Sequence, residues 1–216
     1  MAGDRESRIA ILRARMEALE STSGHTERAG DGASRLAIPG PVGELLPGGG
    51  VARRQVTELN DCPPLAVELA TRVTAAGGFV AVVGWAELAL AQVAEEGQLG
   101  RIIAVPDPGA QPWSVTGVLV EGMDLVIHHG QPVDLTPTKA RPVLAKLRAG
   151  RAALLTVGPH VPGTALRLEG EVVTYRGIGR GTGRIRGMDI EVRVRGKAHE
   201  RVGTVTVGQA RRLERA

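Results

Sequence analysis

The chain has 216 residues, 43% of them hydrophobic, and a formal net charge of +4, enough to bury one sizeable core with room for a small accessory region. Its single cysteine, Cys62, excludes an internal disulfide framework, a multi-cysteine zinc site and an iron–sulfur cluster held by one chain. No apolar run approaches the ~20 residues of a bilayer span, and the start MAGDRESR lacks the apolar segment of a secretion signal, so a cytoplasmic setting without membrane association is expected.

The only aromatics are Phe79, Trp85, Trp113 and Tyr175. The core must therefore be Val, Leu, Ile and Ala, which suits a mostly parallel sheet buried on both faces. Charge is uneven: Met1 to Leu166 holds 15 basic and 17 acidic residues, Arg167 to Ala216 holds 12 and 6. A basic segment on a near-neutral body fits nucleic-acid contact, an acidic partner, or a plain solvated surface.

In chain order, residues 1–20 carry a short amphipathic helix with Ile9, Leu12, Met16 and Leu19 at helical spacing. Such a helix is marginal alone and must dock on its own body or on a partner. Residues 21–44, rich in Gly, Ser and charge through Ser34 and in turns beyond it, read as a flexible linker. The core is expected over 45–207, followed by a basic tail at 208–216.

The core opens with LLPGGG and an alternating strand, Val51 to Leu59. A turn of Asn60, Asp61, Cys62, Pro63 and Pro64 leads into a helix that ends at Gly77 and Gly78. Strand, turn and helix are the setting of phosphate-binding loops, because a helix start offers unpaired N–H groups. Such a loop needs glycines, a lysine and a hydroxyl. This turn has none of them, and its two prolines remove N–H donors.

Phe79–Val83 reads as a buried strand, Ala86–Glu96 as a helix, Arg101–Val105 as a strand and Ser114–Glu121 as a helix. Asp124–His128 is a further strand, then come a helix around Arg141–Ala149 and the strand Ala152–Val157. This alternation implies βαβ units and a mostly parallel sheet flanked by helices. From about residue 165 the period changes to two: ALRLEGEVVTYRG, MDIEVRVRGK and TVTV form antiparallel strands around a glycine-rich tip bearing Arg180, Arg184 and Arg186. That tip lies between strands, so its spaced glycines are not a dinucleotide fingerprint.

From about Leu45 to Val207 this order of parts resembles the ATPase core of RecA recombinases. It is more closely similar to the ImuA-type accessory proteins of bacterial mutasomes, with the ImuA-prime branch nearest. The residues carrying the resemblance are LLPGGG, FVAVVGWAEL, MDLVIHHG and ALRLEGEVVTYRG…DIEVRVRGK. The departures fall on catalytic positions. The turn after Leu59 lacks Walker A chemistry, and His128, His129 and Gly130 stand where a Walker B aspartate and its hydroxyl neighbour belong. Glu87, near the family's catalytic glutamate, would have no bound phosphate or magnesium to serve.

The resemblance implies an α/β, RecA-like fold without enzymatic activity, cofactor or metal. It further implies a DNA-damage-inducible accessory role in translesion synthesis. Partners would be an ImuB-type Y-family-like adaptor, through it the error-prone C-family polymerase, and RecA or DNA. Candidate contact residues are Ile9, Leu12 and Met16 of the arm and Arg180, Arg184, Arg186, Arg193 and Arg195. The alternatives are an active RecA-like, DNA-dependent ATPase and a SulA-like cell-division inhibitor.

Neighbouring strand residues point to opposite faces, so His128 and His129 are expected to pack at the strand end and not to share a metal. His25, His160 and His199 lack ligand-spaced partners and read as surface residues. Cys62 reads better as a buried small residue than as an activated thiol.

Overall fold

A computed structural model describes residues 35–179 and 182–208; the expected arm and the tail beyond Gly208 lie outside them. The described chain forms β1 (Arg35–Ala37), α1 (Pro41–Leu45), β2 (Gly50–Ala52), β3 (Val56–Leu59), α2 (Pro63–Ala75), β4 (Val80–Val83) and α3 (Ala91–Glu96). It continues through β5 (Ile102–Val105), α4 (Pro112–Gly122), β6 (Leu125–His129), α5 (Pro137–Ala149), β7 (Ala153–Val157), β8 (Leu166–Gly179), β9 (Thr182–Gly196) and β10 (His199–Val207). Proline opens α2, α4 and α5, at the helical position where its missing N–H costs nothing and its fixed φ helps.

β3 to β10 build one eight-stranded sheet in the order β10-β9-β8-β3-β7-β6-β4-β5. All strands from β5 across to β8 are parallel. β9 runs antiparallel to both its neighbours, which is the change from continuous apolar runs to alternating ones. One core cluster joins Leu65, Leu69 and Val73 of α2 to Leu59, Leu155, Ile127 and Val82 of the sheet. A second joins Val120 of α4 and Val143 and Leu147 of α5 to Val56, Leu154, Val126 and Ala81 on the opposite face.

Several expected boundaries change. Residues 35–44, assigned to the linker, are folded: β1 pairs with β2, and Ile38 and Val42 are buried, so the body starts at Arg35. The strand expected from Val51 to Leu59 is two strands, because Arg54 turns the chain at φ 62°. That turn is held by Arg54 N–H on Ala152 O (2.7 Å) and Arg54 Nε on Gly150 O (3.0 Å). The helix expected from Ala86 begins only at Ala91, since Trp85 and Leu88 are drawn into the core first. The strand expected at Arg101–Val105 is β5, at the edge of the sheet among the described residues.

β3 therefore sits between β7 and β8, and its carboxyl end meets those of β7 and β6. In open α/β sheets the crevice outside such strand ends is where ligands bind.

Candidate functional site

The turn between β3 and α2 is closed by its own residues. Asn60 N–H donates to Leu168 O at 3.1 Å. Its side-chain amide pairs with the Gly170 backbone in both directions, Nδ2 donating to the carbonyl at 2.9 Å and Oδ1 accepting from the N–H at 2.8 Å. Cys62 N–H turns inward to Asn60 O (2.7 Å) and Leu65 N–H to Cys62 O (3.1 Å). Pro63 and Pro64 between them have no N–H to give. The start of α2 thus offers no open donor of the kind that cradles phosphate.

The inner side of the turn is filled. Cys62 and Leu65 are buried, and a Cβ on Gly170 would come within 2.8 Å of Cys62 Sγ and 2.9 Å of Leu65 Cδ2. The filling residues are Cys62 and Leu65, while Pro63 stays exposed and Pro64 half-buried. Burial, aided by the Asp61 charge, pushes the Cys62 thiol up against the opposing effect of the Leu65 N–H, away from thiolate chemistry.

At the end of β6 the two histidines take opposite faces. His128 is buried and stacks on Trp113 with ring centroids 3.9 Å apart. Thr116 Oγ1 donates to Pro112 O (3.0 Å) and therefore accepts from His128 Nδ1–H at 2.6 Å. Burial, with the neighbouring His129, lowers the His128 pKa to about 4. His129 stacks on Trp85 at 4.5 Å and donates from Nδ1 to Gly84 O at 3.0 Å. Both tryptophans of the chain are thus used to hold the two histidines, and neither ring presents a carboxylate to magnesium.

A buried carboxylate lies two strands further on. Glu58 of β3 stands in register with Arg167 of β8 and Thr156 of β7, and Thr156 in turn with His128. Glu58 accepts from Val161 N–H (3.0 Å) and Thr164 Oγ (2.7 Å), with Arg167 Nε at 3.1 Å and His160 Nδ1 at 3.5 Å. Burial pushes its pKa up, but these partners outweigh burial and the net shift is downward. The segments after β6 and β7 are also tied together, Leu135 N–H to His160 O and His160 N–H to Val133 O, both 2.9 Å.

These elements border a cleft of about 510 Å³ lined by Glu58, Asn60, Asp61, His129, Arg167 and Glu169 among others. Its one arginine is paired with Glu58, and the other charges on its wall are acidic, which is unsuited to a polyphosphate. Among the described residues no group of three or more His, Cys, Asp or Glu is placed to hold a metal. Glu58 escaped the sequence reading because its partners lie about a hundred residues downstream. The only signal was an acidic residue inside the run VTEL.

The other expected site residues are dispersed. Ile9, Leu12, Met16 and Arg180 lie outside the described residues, as does the side chain of Arg184. Arg186 is exposed. Arg193 and Arg195 lie on the outward face of β9 among carboxylates: Arg193 with Glu169 and Glu191 (both 3.6 Å), Arg195 with Glu169 (3.1 Å) and Glu200 (3.5 Å). Glu87 is exposed in the turn after β4, and His199 Nε2 lies 2.7 Å from Leu45 O.

Comparison with known proteins fits this architecture. The family model described as the MT3502 N-terminal domain matches residues 44–163, more than half of the chain. The uncharacterized protein Rv3395c of Mycobacterium tuberculosis is 35% identical over 195 residues, covering 86% of this chain and 90% of its own. The crystal structure of the RadB recombinase superposes with a TM-score of 0.51 at 18% identity, over 79% of this chain and 94% of that one. The fold is thus RadB-like and RecA-like: a mostly parallel sheet flanked by helices with C-terminal antiparallel strands.

Proposed function

This chain belongs to the MT3502 N-terminal-domain family, and on that premise we propose that it is a non-catalytic accessory protein of a DNA-damage-inducible mutasome, of the ImuA or ImuA-prime type. It supports translesion synthesis in the cytoplasm by binding an ImuB-type adaptor, and through that adaptor the error-prone polymerase. RecA and DNA are further candidate contacts.

The observation that carries this reading is the closed turn after β3. Pro63 and Pro64 supply no N–H, Asn60 is spent on Gly170, and Cys62 and Leu65 are buried on the inner side of the turn against Gly170. A RecA-like scaffold without its phosphate cradle has surfaces as its remaining assets. The sequence features already named, LLPGGG and the degenerate VIHHG strand end, support the finer assignment.

The test is affinity isolation of the full chain from DNA-damaged cells, with identification of the co-purifying proteins, paired with calorimetry against Mg-ATP. Recovery of a Y-family-like adaptor and no saturable heat of nucleotide binding is the expected result. Saturable ATP binding with DNA-stimulated hydrolysis overturns the reading in favour of an active ATPase.

A further inference from the structure

The two longest strands of the sheet, β8 and β9, run on past the strands that flank them. β3 pairs with β8 only from Leu166 to Leu168, and the Asn60 side chain makes the one further pairing, at Gly170. On the other side β10 leaves β9 at Met188. From Glu171 to Ile178 the edge of β8 turned away from β9 therefore has no strand beside it among the described residues. Its backbone donors and acceptors form an open template for another extended chain.

The side chains there suit a protein partner. Val173, Tyr175 and Ile178 on β8 and Ile185 on β9 are apolar and 51–60% exposed. From Val172 to Gly187, after Glu171 at the start of this edge, the sequence has arginines and no carboxylate. Arg176 is satisfied by Asp189 at 2.8 Å, and Arg186 is exposed and pairs with no carboxylate among the described residues.

A second copy of the same edge fits poorly. It would set the arginines of one hairpin against those of the other, and like charge on an edge is a usual guard against edge-to-edge self-association. The register breaks at Val172/Thr174 and Arg176/Ile178 bear on any added strand alike, so charge is what discriminates.

We propose that the open edge of β8 from Glu171 to Ile178 takes up an extended segment of a partner protein as an added strand, and that this segment alternates acidic with apolar residues. Its apolar side chains cover Val173 and Tyr175, and its carboxylates answer the arginine excess of the hairpin sequence. The proposal rests on the partner-binding reading above and adds to it the place and chemistry of the contact.

Amide hydrogen exchange on the full chain tests it, with a synthetic peptide of about ten residues alternating Glu or Asp with Val or Ile as probe, and its lysine-for-acid counterpart as control. The expected result is slowing of β8 amide exchange by about tenfold or more with the acidic peptide only, lost in Tyr175→Glu and weakened in Arg186→Glu. Equal exchange with and without the acidic peptide, or equal protection by the lysine peptide, overturns the proposal. The adaptor is measured separately. If it binds while the β8 amides stay unprotected, this inference fails and the accessory function stands. If it does not bind while the acidic peptide still protects β8, the function fails and this edge site stands.

Discussion

Asn60 and Gly170, 110 positions apart in the chain, exchange two hydrogen bonds at 2.9 and 2.8 Å. The Asn60 side chain thereby imitates one more residue of a neighbouring strand. It extends the β3–β8 pairing past Leu59, where the backbone of β3 has already turned toward α2. This single side chain fixes the turn against β8 and gives the phosphate-loop position its closed form.

Removing that side chain tests its share. Asn60→Ala leaves the Gly170 N–H and C=O without their partner, at about 1–3 kcal/mol for two side-chain-to-backbone bonds. In a chain of this size that lowers Tm by roughly 3–10 °C. Urea unfolding and calorimetry of wild type and variant measure it, and an unchanged midpoint would remove Asn60 from the closure of the turn.

The close approach at Gly170 predicts a coupled pair. Gly170→Ala places its Cβ 2.8 Å from Cys62 Sγ, an overpacking that costs about 1–3 kcal/mol. Cys62→Ala removes the sulfur but leaves the Leu65 Cδ2 contact at 2.9 Å, so the double variant should be destabilised somewhat less than the sum of the two single changes, with a coupling of up to about 1 kcal/mol. Strict additivity would show that the sulfur does not set the contact.

The parallel half of the fold was legible because strands buried on both faces read as unbroken apolar runs: FVAVV, DLVIH and ALLTV each became a central strand. RIIAV is also a strand, but at the edge, where β5 has a neighbour on one side only among the described residues and Ile103 and Ala104 are exposed. Ala86–Glu96 kept its helical period, but the period counted Leu88, which is held in the core by a turn and not by a helix. The two prolines of the turn after β3 are visible in the sequence, but the clamp on Asn60, Cys62 and Leu65 is not, because it comes from Gly170. Glu58 stayed hidden for the same reason, its partners being supplied by Val161, Thr164 and Arg167.

Glu58 organises the segment after β7 and predicts a graded mutational response. Glu58→Ala strands the Val161 N–H and leaves the Thr164 hydroxyl only Val161 O, 2.8 Å away, and is expected to cost about 2–4 kcal/mol, since hydrogen bonds to a charged acceptor are worth more than neutral ones. Glu58→Gln retains an acceptor for Val161 and Thr164 but loses the attraction to Arg167, and should cost less. Faster exchange of the Val161 amide in the Ala variant is the local readout. Equal stability of the two variants would show that charge and hydrogen bonding at this position contribute nothing separable.

His128 predicts an acid-sensitive window that Glu58 does not share. The folded ring takes its proton only near pH 4, against an ordinary value of 6.5, so between those values the unfolded chain binds the extra proton. Its stabilisation is complete above pH 6.5 and is lost as pH falls toward 4, by up to about 3 kcal/mol at about 1.4 kcal/mol per pKa unit. Glu58 acts lower: its carboxyl is held below 4.5, so its contribution is present above pH 4.5 and disappears beneath it. Urea unfolding of wild type between pH 7.5 and 4.5 should show the His128 loss, and His128→Gln should flatten that slope even if its absolute stability is lower. The NMR titration of the wild-type His128 ring proton provides the independent check. A midpoint near 6.5 would mean that the stack on Trp113 and the bond to Thr116 do not keep the ring out of water.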